Sequence, residues 1–141
     1  MIKKIIIVDD SATARMIIKR CLEIAGFLDV QVIEANDGQK ALSLAKENQA
    51  DLLITDLNMP NMDGRTLLKR VKASPRLNHM PVLVISSASN EAVEKELVEL
   101  GALAVVNKPI SPTSVSEAQQ NINEKNNEEN QWGSSHDRND G

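Results

Sequence analysis

Four apolar stretches of this sequence run into side chains that can do chemistry. Asp9 and Asp10 follow Ile5-Ile6-Ile7-Val8, Asp56 follows Leu52-Leu53-Ile54-Thr55, Ser86 follows Val82–Ile85, and Lys108 comes just after Ala102–Val106. A carboxylate at the end of a buried strand is costly unless it is paired or bound to metal, so Asp56 must reach water or find a partner. Three carboxylates on one rim repel: two unit charges about 4 Å apart cost roughly 4 kcal/mol at an effective dielectric of about 20. A hard divalent cation with oxygen ligands offsets that repulsion. Mg²⁺ suits the role because it keeps several waters and binds one or two carboxylates plus phosphate oxygens. A carboxylate so placed can act as a nucleophile and form an aspartyl phosphate, while metal and lysine stabilise charge on the passing phosphoryl oxygens. A hydroxyl at Ser86 could grip one of those oxygens.

The elements that must position these groups are legible in the apolar pattern. Ile5–Val8, Leu52–Ile54, Val82–Ile85 and Ala102–Val106 are short, rich in β-branched residues and continuous, with Val30–Ala35 a more mixed fifth. Such runs suit parallel strands covered on both faces. Between them lie segments with helical spacing. Ala12–Ala25 puts Ile17, Ile18, Cys21, Leu22 and Ala25 on one side and ends at Gly26, a C′ glycine. Gly38–Asn48 follows the cap signal Asn36-Asp37 and turns Ala41, Leu42 and Ala45 inward. Arg65–Ala73 offers Leu67, Leu68 and Val71, and Asn90–Leu100 offers Val93, Leu97 and Leu100 before Gly101. The fifth helix, Pro112–Glu124, is the most polar, with Val115, Ala118 and Ile122 as its apolar line. Five β-α repeats with right-handed crossovers predict an α/β fold, a doubly wound five-stranded parallel sheet with helices on both faces. In such sheets ligands gather at the carboxyl ends of the strands, beside the point where strand order reverses. Every reactive group above lies at such an end.

Bulk properties narrow the function. The chain has 141 residues and a formal charge of −4, and its 16 Lys and Arg are scattered. No basic stripe exists for nucleic acid or an anionic membrane, so a protein or small-molecule partner is expected. Cys21 is the single cysteine, which excludes an internal disulfide and fits a reducing compartment, the cytoplasm. Lys3-Lys4 before Ile5–Val8 imitates a signal peptide, but the apolar run stops after four residues. The longest apolar run is five residues, too short to span a bilayer. Residues 1–124 are expected to form one domain. Residues 125–141, rich in Asn, Glu, Ser, Gly and Asp with Trp132 among them, are expected to be a disordered tail.

At these residues the chain resembles the receiver domain of two-component response regulators, most closely the stand-alone chemotaxis type (CheY-like). The resemblance covers residues 2 to about 122. It rests on VDDS at 8–11, DLNMPNMDG at 56–64, Ser86-Ser87-Ala88 and Lys108-Pro109, with 30 residues from Asp56 to Ser86 and 22 from Ser86 to Lys108. The resemblance, not the periodicity, supplies the strand order 2-1-3-4-5 of the flavodoxin-like fold, for which chemotaxis receivers are themselves a type example. It implies that Asp56 accepts a phosphoryl group from a phosphohistidine on a sensor histidine kinase, in a reaction that needs Mg²⁺. It implies that Asp10 and Asp56 bind the ion, that Asp9 holds a water on it, and that the main-chain carbonyl of Asn58 completes the protein ligands. Lys108 would contact the phosphoryl group. Ser86 would be the switch hydroxyl, moving the face made by the fourth helix, fifth strand and fifth helix. Pro109 would follow a cis bond. Asn58 and Ala88 stand where the family tunes the lifetime of the phosphoryl group. The family carries an aromatic three residues before the lysine, where this chain has Val105, and often Phe where it has Ile110.

The resemblance makes the chain a phosphorelay signalling protein rather than an enzyme, catalysing only its own phosphorylation and dephosphorylation. Its output would be contact with a downstream protein, such as a flagellar motor switch, or onward transfer to a phosphotransfer protein. Two other readings compete. A phosphorylation-independent scaffold of the same fold gains weight from Val105. A Mg²⁺-dependent phosphatase of the haloacid dehalogenase type also uses a strand-end Asp, but its second acid would fall at Ser11. Taken alone, Asp9 and Asp10 also suit capping of the helix that begins at Ala12. His79 and His136 lack metal spacing and are expected at the surface.

Overall fold

Continuous β-branched runs become five parallel strands: β1 (Lys4–Val8), β2 (Gln31–Ala35), β3 (Leu52–Asp56), β4 (Val82–Ser86) and β5 (Ala104–Asn107). They alternate with α1 (Ala12–Ile24), α2 (Gly38–Asn48), α3 (Gly64–Ala73) and α4 (Glu91–Glu99), and residues 112–120 form a last helix, α5. These elements come from a computed structural model that describes residues 2–87 and 90–120. The sheet order is β2-β1-β3-β4-β5, and every neighbouring pair is parallel. From β1 the chain steps outward to β2, then crosses back to β3 on the other side. That reversal leaves the carboxyl ends of β1 and β3 side by side, free of a covering connection.

The two faces of the sheet are sorted by the two-residue period of the strands. Ile6, Val8, Leu53, Val82 and Val84 pack against α2, α3 and α4, through Ala41, Ala45, Leu67, Leu68 and Leu97. Ile5, Ile7, Leu52, Ile54, Leu83 and Ile85 face α1 and α5, through Ile18, Cys21, Leu22, Val115 and Ala118. β3 and β4 are buried along their whole length, Asp56 and Ser86 included.

Helix ends follow the local chemistry. Ser11, Asp37, Asp63 and Asn90 cap α1 to α4, each side chain accepting from the backbone N–H three residues on. Gly26 (φ +105°) closes α1 as the C′ glycine expected there. Gly101 (φ +112°) closes α4 in the same way, and this explains why β5 starts at Ala104 rather than Ala102. The Ala102 N–H donates to Leu97 O and the Gly101 N–H to Val98 O, the paired bonds of a Schellman cap. Ala102 spends its donor on the helix, so pairing with β4 begins later.

Ile17 is the other departure. Expected in the core, it is 47% exposed, because the buried arc of α1 is centred on Ile18, Cys21 and Leu22. Leu42 and Ala25 are half-buried rather than inside. Ala88, Ile122, the extension of α5 to Glu124, and the tail at 125–141 with Trp132 and His136 lie outside the described residues. Among the described residues no helix is long and apolar enough to cross a membrane.

Candidate functional site

Register alone brings the reactive groups together. Val8 stands opposite Thr55, so the next residues, Asp9 and Asp56, leave the sheet at one level. Asp56 stands opposite Ile85, and Ser86 opposite Asn107, which puts Ser86 and Lys108 one step along the same rim. Carboxylate oxygens of Asp9, Asp10 and Asp56 lie within 4.8 Å of one another. The Lys108 Nζ is 3.3 Å from Asp56 Oδ2 and 3.6 Å from Asp9 Oδ2. Asp9 and Asp56 are buried, Asp10 is exposed, and the Lys108 side chain is partly open to solvent.

The partner that Asp56 needed is therefore Lys108, with a narrow opening to water. One ammonium is set against three carboxylates, however. Asp9 Oδ1 accepts from the Ser11 N–H at 2.9 Å, whereas Asp9 Oδ2 is buried and accepts no hydrogen bond among the described residues. A rim of hard oxygens, one of them buried and unbonded, fits a small divalent cation such as Mg²⁺.

The electrostatics carry the same message. Burial pushes the Asp9 carboxyl above its ordinary range; the Ser11 N–H opposes this, Asp56 adds to it, Lys108 opposes it and Asp10 adds again. Asp63 goes the other way, because the Thr66 N–H that it caps holds its carboxyl below the usual range. A carboxyl raised in the native state contributes stability that is complete below its unfolded value, 3.8 here, and is lost as pH rises through the native value. Asp9→Asn removes that loss while keeping an oxygen for Ser11. We expect the metal-free variant to gain on the wild type as pH rises from about 4 to 7. Urea denaturation in EDTA at the two pH values reads the difference, and a difference unchanged between them would contradict it.

The remaining sequence candidates fall around this centre. Asn58 is exposed two residues beyond Asp56, at the same strand end. The Lys108–Pro109 bond is cis. Val105 is half-buried in the middle of β5, opposite Val84, and packs on the core shared with α4. Ser86 is fully buried.

Three supporting residues escaped the sequence reading. Arg15 donates from Nη1 to the main-chain oxygen of Asp9 and pairs with Glu34 at 2.9 Å, bracing the end of β1 against β2. Its signal was a cation one turn into the helix that follows the carboxylate pair. The buried Thr55 hydroxyl donates to Asp56 O at 2.9 Å. Gly64 brings the start of α3 against the same carbonyl, and its N–H donates to Leu57 O at 2.8 Å. Only the glycine in Asp63-Gly64 hinted at that close approach.

Known proteins share this fold. Residues 5–120 match the response regulator receiver domain. The chain is 38% identical over 122 residues to the chemotaxis protein CheY-3 of Vibrio cholerae, covering 86% of this chain and 92% of that protein. It is 39% identical over 122 residues to the chemotaxis protein CheY of Pseudomonas aeruginosa, with 86% and 97% covered. Among solved structures, the chemotaxis response regulator CheY4 of Vibrio cholerae superposes with a TM-score of 0.75 at 29% identity, over 86% of this chain and 99% of that one. Sequence, strand order and the acidic rim agree: this chain belongs to the response regulator receiver family and is a CheY-like phosphorelay response regulator.

Proposed function

We propose that Asp56 is the phosphoacceptor and that residues 1–124 act as a phosphorylation-gated binding domain, with 125–141 appended to it. The observation that carries this is the Lys108 ammonium held 3.3 Å from Asp56 on a rim shared with two further carboxylates. The donor is a phosphohistidine on a sensor histidine kinase. An Asp56 carboxylate oxygen forms a bond to phosphorus as the nitrogen–phosphorus bond of the donor breaks, and the imidazole nitrogen leaves with the electron pair. Asp9, Asp10, Asp56 and the main-chain carbonyl of Asn58 would hold Mg²⁺, which supplies neutralising charge to the phosphoryl oxygens. Lys108 moves its ammonium from the carboxylates to a phosphoryl oxygen, replacing one anionic partner by another. Hydrolysis by water returns Asp56 to its free form.

Ser86 is the switch hydroxyl, one register step from Asp56 on the neighbouring strand. Its movement toward the phosphoryl group alters the face formed by α4, β5 and α5, where Val105 reports it by packing rather than by rotation of a ring. The output is binding of a downstream protein. Similarity to two chemotaxis proteins supports chemotaxis control as the pathway, and the cytoplasm is the compartment we assign.

Labelled acetyl phosphate tests the reaction without the kinase. Incorporation is expected with Mg²⁺ and lost in EDTA, and mass mapping should find the label in the peptide that contains Asp56. Failure to label with Mg²⁺ present, or label on another residue, would overturn the assignment.

A further inference from the structure

Beside the site, α1 and the segment after β5 leave an open apolar cavity of about 430 Å³. Its walls are Ala14, Ile17 and Ile18 of α1, Ile85 of β4, and Pro109 and Ile110, and Ser87 and Lys108 border it. Ile17 lies on its lip, 47% exposed. One turn further along α1 stands Arg20, exposed and without an ion pair among the described residues, and beyond it Ile24 is 64% exposed. An apolar stripe interrupted by one cation thus runs from the cavity to the far end of α1.

The segment that follows α5 matches this stripe in order and reach. It carries Glu124, Lys125, Glu128 and Glu129, a net negative stretch, then Trp132, the only tryptophan of the chain. α5 starts next to the cavity, after Ile110, and climbs away by about 12 Å over residues 112–120 at roughly 1.5 Å per residue. The 12 residues from 120 to Trp132 span up to about 40 Å when extended, ample to return along α1. On such a path the glutamates would reach Arg20 before the indole reached Ile17. A cavity of several hundred Å³ with apolar walls accommodates an indole, which buries about 150 to 250 Å².

We propose that the chain's own tail docks on α1, with Trp132 seated in the cavity between Ile17 and Pro109. So placed, the tail covers Ile17, Arg20 and Ile24 and closes that face of α1 to other proteins, an intramolecular competitor for partners of receiver and site alike. Docking needs no phosphoryl group on Asp56, so unphosphorylated protein tests it independently of the reaction.

Trp132 is an unmixed reporter, since the chain has one Trp and no Tyr. In the full chain its emission should be blue-shifted, with an acrylamide quenching constant severalfold below that of N-acetyltryptophanamide. Ile17→Glu should shift emission to the red and restore quenching, and Arg20→Glu should do so in part. Val98→Glu, at an exposed apolar position on α4, should change neither. Far-UV circular dichroism confirms that each variant is folded, as expected for substitutions at exposed positions. Quenching of the wild type equal to the free indole, or protection that survives Ile17→Glu, would overturn the docking. Protection that disappears on dilution would overturn it in favour of a second copy as the host.

Discussion

Asp56→Asn should take up no label from acetyl phosphate, a loss of more than about 1000-fold that leaves the fold in place. Asparagine has the shape of aspartate but offers an amide, whose oxygen is a poor nucleophile. Lys108 keeps an acidic neighbour in the variant, because its Nζ is also 3.6 Å from Asp9 Oδ2. The N–H of Leu57 still donates to Ile85 O, so the strand end is unchanged. Removing one of three clustered carboxylates should also weaken any response to Mg²⁺. At about 100 times its dissociation constant the ion should stabilise the wild type by about 2.7 kcal/mol, and the variant by much less. Labelling and thermal shift with and without Mg²⁺ therefore read the same residue in two ways. A variant that labels at the wild-type rate would show that the acceptor lies elsewhere.

What the sequence made legible, and what it hid, divides along physical lines. A strand buried on both faces must be apolar throughout, so Leu52-Leu53-Ile54 and Val82–Ile85 declared themselves, and the first polar groups after them marked the rim. Because parallel strands all end on one side, Asp9, Asp10, Asp56 and Lys108 could be assigned a common site before any contact was known. Periodicity does not say which strands are neighbours, and the order 2-1-3-4-5 came from resemblance. Nor does it separate a residue at the centre of a buried arc from one at its edge: Ile17 and Cys21 share a helical row, yet only Cys21 is buried. Thr55 shows a third limit. A hydroxyl inside a buried strand breaks the apolar rule until its bond to the Asp56 carbonyl is seen. Arg15 and Gly64 act on main-chain atoms, which sequence patterns do not display.

Gly64 supports the largest expected loss of stability. A Cβ built there would lie 2.3 Å from Asp56 O, 2.9 Å from Leu57 Cα and 3.2 Å from Asp56 C. All three are main-chain atoms, so no side chain can swing aside, and relief requires α3 and the end of β3 to part by roughly 1 Å in a close-packed interior. That motion would strain the Gly64–Leu57 and Leu57–Ile85 hydrogen bonds. Gly64→Ala should therefore cost about 3 kcal/mol, the upper end for overpacking, despite the better helix propensity of alanine. Because the displaced carbonyl belongs to Asp56, the folded variant should also label about 100-fold more slowly, the usual penalty for a misplacement near 1 Å. Gly38→Ala is the comparison: its Cβ would meet Met62 Sδ at 3.0 Å and Met62 Cβ and Cγ at 3.1 Å, side-chain atoms that must give by a few tenths of an ångström but no main-chain atom, and it should cost clearly less than Gly64→Ala, about 1 kcal/mol. Urea denaturation of the two variants compares them directly. If Gly64→Ala proved as stable as Gly38→Ala, α3 would not rest on the strand that ends in Asp56 as closely as described, and glycine would be dispensable there.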